Sequence, residues 1–132
     1  MSENTCQIRV RYAETDGMGI VYYANYLIWF EVGRTDWLRQ LGASYRELEE
    51  QERLYLPVVE VRCRYHKPAR YDEVVEIRTT ANRPTRAQIR FDYELSRLED
   101  RELFARGSTR HVAVNERGQP RRFPDRLLEL FS

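Results

Sequence analysis

Tyr12-Ala-Glu-Thr-Asp-Gly-Met-Gly-Ile-Val-Tyr-Tyr-Ala-Asn-Tyr26 is the stretch at which the chain changes its period. On its N-terminal side Ile8, Val10 and Tyr12 alternate with Arg9 and Arg11. That two-residue rhythm predicts a strand with one buried face, from Cys6 to Ala13. On its C-terminal side Tyr22, Tyr26, Phe30, Gly33, Trp37 and Leu41 recur at three- and four-residue steps. They predict a single apolar stripe on a long helix. Gly17 and Gly19 separate the two elements, and Gly42 predicts the helix stop. Ser44, with Glu47 three residues on, opens a second short helix by the capping-box pattern.

Farther along, the period returns to two. Strands are predicted over 56–65, 74–80, 87–98 and 103–114, with turns at Pro68, at Tyr71-Asp72 and around Asp100. Pro124 begins a short C-terminal helix that runs to Phe131. Short turns between successive strands predict antiparallel neighbours. Strand, long helix and four more strands predict an α+β domain, an antiparallel curved sheet wrapped around one long α-helix. Each element then buries its apolar face against the other. That arrangement is the hotdog fold, and its open sheet edges predict an oligomer.

The 132 residues, 42% of them hydrophobic, suit a single domain spanning 1–132. Net charge is only +1, so whole-domain charge gives no support to nucleic-acid binding. Cys6 and Cys63 fall in strand-like runs and are expected to be small buried thiols. Two histidines and two cysteines offer no metal-ligand spacing, and no cofactor is expected. With no secretory signal and no apolar run long enough to span a bilayer, a cytoplasmic protein without a membrane partner is expected.

The chemistry concentrates in the stretch between strand and helix. Glu14, Thr15 and Asp16 precede two glycines, and the leading N–H groups of the helix follow. A carboxylate beside free amide donors suits acyl transfer, with the donors holding a developing oxyanion. The same residues also suit a helix cap and a glycine turn, and the aromatics of the helix also suit a core.

At this stretch the chain resembles the 4-hydroxybenzoyl-CoA thioesterase family of hotdog proteins. Further blocks follow in family order: Tyr26-Leu-Ile-Trp-Phe-Glu-Val-Gly-Arg34, Gly42, Leu56-Pro-Val-Val-Glu60, Tyr65, Pro68-Ala-Arg-Tyr-Asp72 and Gly107-Ser-Thr-Arg-His111. The resemblance runs from about Arg9 to about Val114. It implies hydrolysis of an aryl or a short- or medium-chain acyl-CoA. Asp16 would act as nucleophile or general base and the Tyr23 backbone N–H as oxyanion donor. Some relatives carry histidine at the position of Tyr23, so tyrosine here implies a mechanism resting on the aspartate alone. Asn25 and Tyr26 are implied as pocket residues, and Tyr65 and His66 as weaker candidates for an apolar wall contributed by a neighbouring subunit. Glu31 would face either the acyl end or solvent. Val58 and Val59 would form a wall contributed across a homodimer or homotetramer. Arg83, Thr85 and Arg86 would meet the CoA nucleotide, with Arg117, Arg121 and Arg122 as a second option. Two rivals remain. A hydratase on the same fold would need a histidine near Tyr12–Tyr26, which is missing, whereas a non-catalytic acyl-CoA-binding protein would keep the pocket alone.

Overall fold

The computed structural model describes residues 2–132. Alternation places Asn4, Cys6 and Ile8 on the inner face of β1 (Ser2–Arg9) and Glu3, Thr5 and Gln7 outside. The strand begins and ends four residues earlier than the alternation suggests. Val10 remains buried, but Tyr12 swings into a short 3-10 turn, Tyr12–Glu14, and is exposed. The cause is local: the Glu14 carboxylate accepts the Arg11 N–H at 2.8 Å and closes the turn.

The long helix α1 (Asn25–Gln40) starts three residues after the apolar spacing begins. Tyr22 stays outside it, and its N–H donates to the Glu14 carbonyl at 2.9 Å. The stripe that α1 buries is Tyr26, Trp29, Phe30, Gly33, Trp37 and Leu38. At its end Gly42 takes φ +86°, with Gly42 N–H on Arg39 O and Ala43 N–H on Leu38 O. These are the two bonds of a Schellman stop. The Ser44 hydroxyl then caps α2 (Tyr45–Gln51) by accepting the Glu47 N–H at 3.1 Å.

Four further strands complete one sheet: β2 (Val58–Tyr65), β3 (Val74–Ala81), β4 (Gln88–Arg97) and β5 (Leu103–Val112). Their order is β1-β3-β4-β5-β2, antiparallel throughout. The expectation that successive strands are neighbours therefore holds for β3, β4 and β5 and fails for β2. That strand pairs with β5, Tyr65 opposite Ala105, so residues 66–73 cross the sheet end to reach β3. Both edges, β1 and β2, are open in the single chain.

The sheet curves around α1. Val75, Ile77, Phe91, Tyr93 and Leu95 form the inner face, and Phe30 stacks on Tyr93 with ring centres 4.3 Å apart. Each such side chain contributes roughly 1.5–3 kcal/mol by leaving water. Gly33 lets the helix approach β3, since a Cβ there would collide with Thr79 Oγ1 and lie 2.7 Å from Ile77 Cγ2. The helix α3 (Asp125–Phe131) closes the far end, with Phe131 against Trp37. Cys6 and Cys63 are unpaired on opposite edges, and burial, aided by Asp36, pushes the Cys6 thiol up to about 11. None of the helices among the described residues is long and apolar enough to cross a membrane.

Candidate active site

The loop between β1 and α1 folds back on itself through an antiparallel bridge from Thr15 to Val21. Inside the loop the Asp16 N–H donates to Ile20 O at 2.8 Å, and Asp16 Oδ1 accepts the Met18 N–H at 2.7 Å. The carboxylate is thus fixed by a side-chain turn of its own, which leaves Oδ2 without a protein donor among the described residues. The crossing segment lies alongside: Val21 N–H donates to Ala69 O at 2.8 Å, and Ile20 bridges Arg70.

At the entry of α1 the backbone donors divide into used and unused. The Tyr22 N–H goes to Glu14 O, Asn25 N–H to Tyr22 O and Tyr26 N–H to Tyr23 O. The N–H groups of Tyr23 and Ala24 meet no acceptor among the described residues. Open N–H groups at a helix start carry partial positive charge and suit an oxyanion.

Beside them is a cleft of about 320 Å³, predominantly apolar, lined by Ile20, Val21, Tyr23, Tyr26, Tyr65, His66, Lys67 and Pro68. The Tyr65 hydroxyl donates to Tyr23 O at 2.9 Å, and its ring lies 5.1 Å from that of Tyr26. Desolvation, then the neighbouring Cys63, raises the Tyr65 pKa, so this hydroxyl keeps its proton. Tyr26 forms the floor, and its hydroxyl accepts the Ala69 N–H at 3.0 Å.

Other residues singled out from sequence fall elsewhere. Asn25 is turned inward, its Nδ2 donating to Glu14 O at 2.8 Å. Glu31 lines a second cleft of about 720 Å³ with Arg34, Tyr45, Leu56 and Pro57. Val58 and Val59 are exposed at the open edge of β2, where a bulge shifts the register. Arg83, Thr85 and Arg86 are exposed in the β3–β4 connection. Register sets Ser2 opposite Ala81 and Arg9 opposite Val74, so that connection is at the sheet end away from Asp16. Seven strand steps make the separation roughly 23 Å. Of the second arginine set, Arg121 is occupied with the carbonyls of Glu52 and Arg53.

Sequence reasoning missed Lys67 and Pro68 as cleft residues, and it gave Glu14 no part in holding the site. Nothing local marks the first two, which reach the cleft only because β2 crosses to the far edge. Among the described residues no three His, Cys, Asp or Glu side chains gather as a metal site would require.

Residues 10–131 match the family model described as the thioesterase-like superfamily. The YneP protein of Bacillus subtilis is 51% identical over 73 residues, 55% of this chain and 52% of that protein, so the match spans about half its length. The acyl-CoA thioesterase YbgC of Haemophilus influenzae is 34% identical over 68% of this chain and 66% of its own. The crystal structure of the DHNA-CoA thioesterase of Staphylococcus aureus superposes with a TM-score of 0.92 at 32% identity. That superposition covers 99% of this chain and 89% of that one.

Proposed function

This chain belongs to the thioesterase-like superfamily, and on that premise we propose that it hydrolyses acyl-CoA thioesters at the loop between β1 and α1. The observation that carries the reading is the open pair of N–H groups at Tyr23 and Ala24, beside an apolar cleft and next to the loop that holds Asp16. The thioester oxygen accepts the Tyr23 N–H, and the start of α1 favours the negative charge that develops there. The acyl group lies against Val21, Tyr26 and Tyr65. Asp16 Oδ2 either attacks the carbonyl carbon, giving a mixed anhydride that water cleaves, or takes a proton from the attacking water. The thiolate departs without a general acid, because a thiol of pKa about 8.5 is a good leaving group at neutral pH.

A second copy completes the site in this reading. The open edge of β2 presents Val58, Val59 and Val61, an arrangement that calls for a covering strand. Arg83, Thr85 and Arg86 lie too far along the sheet to serve the Asp16 loop of their own chain, so they meet the nucleotide of a CoA bound to a partner copy. Glu31, in the second cleft, faces either the distal part of the acyl group or solvent.

A non-catalytic acyl-CoA-binding protein is the second reading. It is favoured by one fact, that Asp16 Oδ1 already closes a local turn with the Met18 N–H. Thiol release from a panel of aryl, short-, medium- and long-chain acyl-CoAs separates the two. The expected outcome is turnover by the wild type and a loss of about 10²–10⁴-fold in Asp16→Asn, which keeps the turn and removes the charge. Undiminished turnover in Asp16→Asn would sink the mechanism, and binding without any turnover by the wild type would establish the second reading.

A further inference from the structure

We propose that Glu14 is the positioning residue of this site: its buried carboxylate and its carbonyl hold the Asp16 loop against the start of α1. The inference rests on the hydrolytic reading above. Glu14 is 6% exposed, and both of its carboxylate oxygens are occupied. Oε1 accepts the Arg11 N–H at 2.8 Å and Oε2 accepts the Trp29 indole N–H at 2.9 Å. Its carbonyl accepts two more donors, the Tyr22 N–H at 2.9 Å and Asn25 Nδ2 at 2.8 Å. One residue therefore ties the incoming arm of the loop, the outgoing arm, and the first and second turns of α1. Asp16 is two residues beyond it on the incoming arm, and Tyr23 is one residue beyond Tyr22 on the outgoing arm.

The tether also explains which amide is left open. The apolar spacing of the helix runs back to Tyr22, and nothing in the stretch 22–24 forbids another turn. Glu14 supplies an acceptor for the Tyr22 N–H, one of the donors a helix start leaves free, whereas the next two, at Tyr23 and Ala24, stay open. A buried carboxylate with two donors converging on it is the group the position requires. Glutamine offers one acceptor and one N–H₂, which would face a donor across a buried contact. The Arg11 side chain adds little, standing 3.5 Å away and 75% exposed.

The test uses Glu14→Gln and Trp29→Phe, alone and combined, in the same thiol-release assay. Glu14→Gln is expected to lower kcat by about 10- to 100-fold, the effect of a small misplacement of reacting groups, with KM within about twofold of wild type. Trp29→Phe removes one of the two donors. The combined variant is expected to be no slower than Glu14→Gln alone, because both changes break one contact. Ile89→Val, in β4 away from the loop, serves as a control, with a comparable loss of melting temperature and an unchanged kcat. Amide hydrogen exchange at Arg11 and Tyr22, whose N–H groups Glu14 accepts, is expected to quicken in Glu14→Gln while the sheet stays protected. A folded Glu14→Gln protein with wild-type kcat, or with unaltered exchange at Arg11 and Tyr22, would overturn the inference. A wild-type chain that cleaves no thioester would remove the hydrolytic reading instead, and the exchange measurement would still decide whether Glu14 holds the loop.

Discussion

His111 lies 1% exposed, its Nδ1 2.9 Å from Leu56 O and its Nε2 2.8 Å from the Thr109 hydroxyl, which in turn meets the Tyr93 hydroxyl at 2.6 Å. Desolvation lowers its pKa to about 4, against an ordinary value near 6.5. The native state thus refuses a proton that the unfolded chain binds below about pH 6.5, so stability rises with pH across this window. Stability present above pH 6.5 is expected to fall as pH drops toward 4, by up to about 3 kcal/mol from this residue. Urea unfolding at several pH values checks this, and His111→Gln should flatten the slope. An equally steep slope in that variant would reject the assignment. Neither His111 nor Glu14 was legible as a buried residue in the sequence. Their partners lie 55 and 15 residues away, at Leu56 and Trp29, and only the fold brings them together. Asp16 and Tyr23 were singled out through family resemblance, since spacing alone also fitted a turn and a cap.

Among the elements, α1 approaches β3 closely at Gly33. Gly33→Ala is expected to cost about 1–3 kcal/mol, because its Cβ would overlap Thr79 and crowd Ile77. Thermal or urea melting reads this directly. Thr79 Oγ1 is buried without a hydrogen-bond partner among the described residues. Thr79→Val is therefore expected to be neutral or to stabilise by about 1 kcal/mol, and a clear loss would mean that the hydroxyl has a use. Most elements were legible because period and punctuation agreed: alternation in β3, β4 and β5, and Gly42 at the end of α1. Two features were not. The helix starts at Asn25 although the apolar spacing runs back to Tyr22, whose N–H is tied to a Glu14 carbonyl that spacing does not register. The placement of β2 was missed because a short connection reads as a hairpin whichever edge the strand finally joins.

For the molecule as a whole, the open edges differ in character. β1 turns Glu3, Thr5 and Gln7 outward, whereas β2 leaves Val58, Val59 and Val61 exposed. Val61→Glu on β2 is expected to shift light-scattering mass toward the monomer and to lower thioester turnover with it. A charged edge strand resists pairing. Unchanged mass in that variant would place the subunit contact elsewhere. The crossing of residues 66–73 has a consequence in time as well as in space. Val58 finds its partner in His111, 53 positions later, so β2 has no strand to join until nearly the whole chain is available. Contacts so distant in sequence make for slow folding. The cleft walls at Tyr65 and Pro68 are then set only when β5 arrives, so a nascent or truncated chain ending before β5 holds Asp16 and Tyr23 but no pocket between them and an exposed valine-rich strand in search of a mate.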